Sequence, residues 1–415
     1  MAEWKECMIS EIGTVVGGAT PSTQKTENYE GGTIAWITPK DLSTFKGRYI
    51  SNGERNITEI GLKSCSTQLL PKNTVLFSSR APIGYVAIAQ NEVCTNQGFK
   101  SVIPNSDTDP LFLFYLLKYN KDKIENMGSG TTFKEVSGST MKSIKVNVPC
   151  EYEEQRRIAS ILGALDDKIE ENERINNNLE QQAQMLFQSW YVDFEPFGGS
   201  MPTDWEIVSL DTIADFQNGY AFKSSDLLSE PLSDTYRVFK QGHINRGGGF
   251  NAEGTKSWYP KADAKTLTKY ILHKGDILMA MTDMKDNVAI LGNTAVMPVD
   301  EEYIVNQRVG LLRANGKNGI TYPFIYLLTN SKDFLTDLRS RANSGVQVNL
   351  SSVEIKASET VLAPKEINEE FAAIVTPMLE IMMANQLENE RLSQLRDALL
   401  PKLMSGEIGV SDLDI

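Results

Sequence analysis

The chain is one two-part unit written twice, and that duplication limits what it can fold into more than any other feature. Residues 73–86 (NTVLFSSRAPIGYV) read as an apolar strand, a Ser/Arg/Pro/Gly turn and a second strand, and residues 275–289 (GDILMAMTDMKDNVA) repeat the rhythm. Thr95-Asn96-Gln97 matches Val305-Asn306-Gln307. Pro110 opens PLFLFYLLKY and Pro323 opens PFIYLL, both apolar at helical spacing. Ser129-Gly130 matches Ser344-Gly345, and Val148-Pro149 and Ala363-Pro364 each precede a long helical stretch. Five landmarks in the same order mark a duplicated domain, and each unit is too long to be a solenoid repeat.

The helices give the clearest periodicity. The first places Ile158, Leu162, Leu165, Ile169, Asn172, Asn176, Leu179, Ala183, Leu186 and Trp190 at alternating steps of four and three, the spacing of a coiled-coil seam. The second repeats it at Ile367, Phe371, Ile374, Met378, Ile381, Asn385, Glu388, Leu392, Leu395 and Leu399. Proline precedes each, acidic residues crowd each first turn, and Pro377 is expected to kink the second. Some 37 residues of helix span roughly 55 Å. Both seams are apolar at their ends and polar in the middle, so antiparallel pairing sets amide against amide and fixes register. The alternative is that each helix packs on its own globular head, with the polar residues in solvent.

These patterns divide the chain into a head (1–150), a helix (151–195), a second head (196–364) and a second helix (365–415). Short Val/Ile/Phe/Tyr strands, Gly/Ser turns and a few helices make each head mixed α/β. The net charge of −13 argues at first against a nucleic-acid partner. Its distribution does not: the heads carry +2 and −2, the helices −7 and −6. Near-neutral heads can meet phosphate if their cations face one way, though weakly on their own. Four scattered cysteines without CxxC spacing read as reduced thiols in the cytoplasm. No apolar run is long enough to span a bilayer, and the start lacks the pattern of a secretory signal.

Catalytic motifs are scarce. The sequence has no P-loop, no GxGxxG after a strand and only two histidines, His243 and His273. Gly247-Gly248-Gly249 suits a flexible turn better than a phosphate cradle. Recognition fits better. Arg80 follows Ser79 at a turn stiffened by Pro82, and arginine can bond guanine bidentately. Thr38 and Lys40 end a strand in a polar loop, and Thr131 and Lys134 lie in a Gly/Ser/Thr loop suited to phosphate oxygens. Lys240, His243, Thr282, Lys285, Gln347 and Asn349 hold the equivalent places in the second copy. Gln97 and Gln307, each following Asn, suit either adenine recognition or capping of neighbouring backbone.

Across nearly its whole length the chain resembles the specificity subunits of type I restriction-modification systems. The resemblance rests on residues 76–86 (LFSSRAPIGYV), on residues 95–100 (TNQGFK), and on Glu154-Gln155-Arg156-Arg157-Ile158-Ala159 through residues 186–194 (LFQSWYVDF). The second copy departs from the pattern, with Asn368-Glu369-Glu370-Phe371-Ala372 for Glu-Gln-Arg-Arg and Arg308 where the first has Gly98. The resemblance implies two target recognition domains, each reading one half of a bipartite double-stranded DNA target in the major groove. It implies an antiparallel helix pair that sets the gap, and an internal pseudo-twofold. Two modification subunits would methylate adenine with S-adenosylmethionine, and two ATP- and Mg-dependent restriction subunits would cut unmodified DNA. The chain itself would be non-catalytic and without cofactor. The rival classes are an enzyme carrying its own reader, which would bind S-adenosylmethionine unaided, and a scaffold whose heads leave the target unchanged.

Overall fold

The computed structural model describes residues 3–80, 82–130, 134–284, 288–344 and 347–410. The chain forms two compact units, Met1–Glu170 with Arg391–Ile415, and Glu171–Glu390. The division passes through both long helices instead of at their ends, so each head keeps a piece of both.

In unit 1, β1 (Trp4–Met8) pairs antiparallel with β10 (Lys145–Pro149), Trp4 opposite Pro149. The main sheet joins β2 (Gly13–Gly17), β9 (Lys100–Pro104), β6 (Val75–Ser79), β7 (Ile83–Ala89) and β4 (Tyr49–Ile50) in that order. A smaller one runs β5 (Arg55–Ile57), β3 (Ile34–Ile37), β8 (Cys94–Thr95). Strand β6 shows why its first three residues, Val75, Leu76 and Phe77, are apolar without alternation. Val75 and Phe77 enter one core cluster and Leu76 enters another, so both faces are covered. The short helices are α1 (Ile9–Ile12), α2 (Pro39–Thr44), α3 (Glu59–Lys63), α4 (Pro110–Tyr119), α5 (Lys121–Asn126) and α6 (Gly138–Ser143). Asp109 caps α4 by accepting the Phe112 N–H at 2.8 Å, and Pro110 fits its first turn.

The first long helix, α7 (Tyr152–Tyr191), begins in unit 1. Gln155 clamps its start, donating to the Asp107 and Pro149 carbonyls and accepting the Asp109 N–H. Ile158, Ala159 and Leu162 enter the head's core, joined by Leu403 and Met404 from the end of the second long helix. Arg48 is buried, with its guanidinium on Asp167, Glu170 and the Gly163 carbonyl.

Unit 2 repeats the plan. Strand β11 (Glu206–Ser209) pairs antiparallel with β22 (Glu359–Leu362). The main sheet is β12 (Ala214–Asn218), β19 (Val309–Ala314), β15 (Ile277–Ala280), β17 (Thr294–Val296), and the smaller one is β14 (Trp258–Pro260), β13 (Thr235–Phe239), β18 (Tyr303–Val305). As in β6, β15 sends Ile277 and Met279 into one cluster and Leu278 and Ala280 into another. A third sheet, β16 (Thr282–Met284), β21 (Gln347–Asn349), β20 (Asn343–Ser344), is added. Helices α8 (Tyr322–Asn330), α9 (Lys332–Ser340) and α10 (Ser352–Lys356) occupy the places of α4 to α6. The second long helix, α11 (Lys365–Ser405), is uninterrupted at Pro377.

In unit 2 the polar middle of the seams meets. Asn172 Nδ2 donates to Glu388 Oε2 at 2.7 Å and to Asn389 Oδ1 at 2.9 Å. Asn176 accepts from Asn385 Nδ2 at 2.8 Å and donates to the Met382 carbonyl. As the first helix ascends its partners descend, so the segments run in opposite directions. The apolar part of the α11 seam needs correction. Ile374, Ile381 and Leu395 are 38%, 48% and 48% exposed, and the buried stripe is Phe371, Val375, Leu379 and Met383, stepping by four. This stripe packs into the core of its own head with Ala183, Phe187 and Tyr191, which turns the helix away from the four-three face. Leu186 and Met378 lie against that core and Leu399 against the core of unit 1. Leu165, Ile169, Leu179 and Leu392 are half-buried.

Candidate nucleic-acid interface

Each unit presents one sharply braced turn at the end of its short parallel strand pair. In unit 1 it is Asn96–Gly98. The Asn96 N–H donates to the Ile37 carbonyl at 3.0 Å, and the Ala19 N–H donates to Thr95 O at 3.0 Å. A side chain at Gly18 would overlap the Asn96 and Thr95 carbonyls, so only glycine lets these segments approach. In unit 2 the Asn306 N–H donates to Phe239 O at 3.0 Å, Tyr220 N–H donates to Val305 O at 2.9 Å, and Gly219 fills the tight place. Asn96 Oδ1 accepts the Gly98 N–H at 2.8 Å, and Asn306 Oδ1 accepts the Arg308 N–H at 3.4 Å. The asparagines therefore do the capping. Gln97 and Gln307 stand exposed on the turns, Gln97 beside the Thr20 hydroxyl. Their repetition after Asn in both copies was the available signal.

Around the unit 1 turn, the Ser79 N–H donates to Gly98 O at 2.7 Å, which sets the following Arg80 beside the turn. Arg80 is partly exposed and lies 3.6 Å from Glu135, which also holds Lys100 at 3.3 Å. Lys134 is exposed in the adjoining loop. Thr38 spends its hydroxyl on Asp41 as the cap of α2, and Lys40 is an exposed cation paired with Glu54 at 2.7 Å. Around the unit 2 turn, Thr282 bonds Gln241 at 2.7 Å, and Asn349 is its strand partner. Lys240 is half-buried. Burial works against the charge of Asp283, yet the N–H groups of Ile290, Met284, Ala289 and Leu291 hold its carboxyl below the usual range. Thr131 and Lys285 lie outside the described residues, as does the side chain of Gln347.

Two expected DNA contacts are withdrawn. The Ser79 side chain is buried, its hydroxyl on the Gly98 carbonyl at 3.1 Å. His243 is fully buried among Phe239, Phe250 and Tyr303, with Nδ1 accepting the Lys240 N–H at 3.0 Å. Its position three residues into a turn made it look accessible, but an imidazole in an aromatic cage is a core group. Burial, with Arg237 nearby, pushes its pKa from 6.5 down to about 4. Unfolding at pH 5 then takes up a proton that the native state excludes. Stability should fall as pH drops from 6.5 towards 4, by about 2 kcal/mol at pH 5. Urea titrations at pH 7 and pH 5 on the parent and His243→Phe test this, and an equal loss in both would exclude His243 as the cause.

Among the described residues no helix is long and apolar enough to cross a membrane. The family described as type I restriction modification DNA specificity domain matches residues 1–181 and 202–396. The type I restriction enzyme MjaIX specificity subunit of Methanocaldococcus jannaschii is 33% identical, covering 99% of this chain and 95% of its own. The HindI specificity subunit of Haemophilus influenzae is 25% identical, over 98% of this chain and all of its own. A crystal structure of the type I restriction-modification S subunit from M. genitalium shares the fold, with a TM-score of 0.62 at 18% identity over 97% of this chain and 96% of that one.

Proposed function

Because the chain belongs to the type I restriction-modification DNA specificity family, we propose that it reads a bipartite DNA sequence, one half-site per unit, for enzymes that act on that DNA. The observation that carries this reading is the same braced turn in both units, with an exposed amide at Gln97 and Gln307. Strand-end turns built on buried sheets hold side chains rigidly enough to meet base edges in the major groove. Helices α7 and α11 pair as an antiparallel coiled coil and set the gap between half-sites. The descending order of the Asn172 and Asn176 partners supports this. Two half-sites about one helical turn apart follow for a symmetric reader.

The chain is the non-catalytic part of its complex and acts in the cytoplasm. Two modification subunits dock on it and methylate adenine with S-adenosylmethionine, and two restriction subunits supply the ATP- and Mg-dependent steps. The partners also supply phosphate affinity, since Lys40, Arg80 and Lys100 are each engaged by carboxylates of their own unit. Glu135→Gln should therefore raise binding to DNA of any sequence and steepen its dependence on log salt by roughly one contact. Filter binding from low to high salt reads this, and an unchanged slope would remove Glu135 from the interface.

The decisive experiment is a methylation map of a host genome expressing a cognate modification subunit with and without this chain. A two-part motif with a fixed gap, methylated only when the chain is present, is the expected result. Unchanged methylation despite co-purification of the two proteins would overturn the reading.

A further inference from the structure

We propose that Arg308 is the base-reading guanidinium of unit 2, the counterpart of the guanine-bonding part that the sequence assigns to Arg80 in unit 1. The inference rests on the half-site reading above. The two turns superpose by their backbone bonds. Asn96 to Ile37 corresponds to Asn306 to Phe239, which makes Pro39 equivalent to Gln241 and Gly98 equivalent to Arg308. The Ser79 N–H donates to Gly98 O, and the Met281 N–H donates to Arg308 O at 3.3 Å, so Arg80 corresponds to Thr282.

Three positions therefore differ together between the copies. In unit 1 no side chain fits at position 98, because a Cβ would lie 2.7 Å from the Pro39 ring and 2.9 Å from Asn96 Oδ1. The arginine comes instead from the end of β6. In unit 2 the end of the equivalent strand carries threonine, and the proline is replaced by Gln241. The Gln241 amide turns onto Thr282, with Nε2 donating to its carbonyl at 2.5 Å and Oε1 accepting from its hydroxyl at 2.7 Å. No proline ring stands at the place beside this turn, and position 308 carries an exposed arginine. Arg308 is exposed, and among the described residues nothing bonds or pairs with its guanidinium. Arg237, Arg313 and Arg339 of the same unit are all engaged with carbonyls, carboxylates or side-chain oxygens. A free, solvent-facing guanidinium beside the exposed amide of Gln307 suits a guanine next to a second base.

The test uses the full complex with its modification subunit, carrying Arg308→Ala, Arg308→Lys or Arg80→Ala, with thermal melting to confirm that each variant is folded. Arg308→Ala should relax one base position in one half of the motif and slow methylation of the parental site roughly 5- to 150-fold, leaving the other half strict. Arg308→Lys should relax the same position while keeping the salt dependence, since it preserves charge but not the planar fork. Arg80→Ala should act on the opposite half. If Arg308→Ala changes nothing while Arg80→Ala does, the assignment of Arg308 falls and the half-site reading stands. Uniform weakening on all sequences, with a salt slope shallower by about one, makes Arg308 a phosphate contact and also overturns the proposal. If neither substitution alters either half, and exchange of unit 2 for that of a relative leaves the motif unchanged, the half-site reading itself fails.

Discussion

Replacing Phe371 by alanine should destabilise unit 2 by about 4 kcal/mol, the middle of the range for a buried aromatic. Phe371 is 1% exposed and its ring packs against Tyr191 at 5.0 Å, Trp190 at 5.6 Å and Phe187 at 6.2 Å between centroids. These rings belong to α7, whereas Phe371 belongs to α11, so the truncation opens a cavity where both long helices enter the head. The surrounding aromatics are large and hold one another edge to face, leaving little scope for collapse around the void. For a unit of this size the melting temperature should fall by about 2–4 °C per kcal/mol. Hydrogen exchange should place the lost protection among residues 171–390. Ile374→Ala, three residues along and facing solvent, should cost less than about 0.5 kcal/mol. Equal losses at the two positions would show that the four-three seam, not the stripe stepping by four, is the packed face.

The ion pair between Arg396 and Asp166 should carry the second large effect, in unit 1. Asp166 Oδ1 accepts from Arg396 Nη1 and Oδ2 from the Tyr115 hydroxyl, both at 2.6 Å, and the carboxylate is almost wholly buried. Arg396→Ala leaves that buried carboxylate with the Tyr115 hydroxyl as its remaining hydrogen-bond donor, which should cost about 3 kcal/mol. A matched replacement behaves differently: Asp166→Leu with Arg396→Met removes both charges and should recover most of the loss. Equilibrium denaturation of the two single variants and the double variant measures the coupling directly. Additive losses in the double variant would mean that the two side chains do not share one buried site.

Much of the architecture was legible because it depends on local signals that the duplication printed twice. Val75, Leu76 and Phe77, like Ile277–Ala280, are apolar without alternation because both faces of a central strand are buried. Proline near the start of α4 and of α8 marks a first turn in each copy. The buried side of α11 was not legible. Residues 371, 374, 375, 378, 379, 381 and 383 are all apolar, so the pattern admits more than one stripe and the neighbouring head decides between them. His243 was misplaced for a related reason, since the aromatic cage that takes it in is assembled from Phe239, Phe250 and Tyr303, which only the fold brings together. Arg308 was visible as a departure from Gly98, but its meaning needed the backbone register of β6 and β15.

The clasp of β1 with β10, and of β11 with β22, has a consequence for how such chains change. Trp4 lies opposite Pro149, and Glu206 opposite Leu362, so the polypeptide enters and leaves each head through neighbouring hydrogen-bonded strands. Everything between the two strands of a clasp is a closed loop of chain whose ends stay put, whatever its interior contains. A foreign interior spliced between two adjacent cut points inherits an existing mount. The head is a cassette, provided that its replacement still accepts the helix residues that enter its core, Ile158, Ala159 and Leu162 in unit 1.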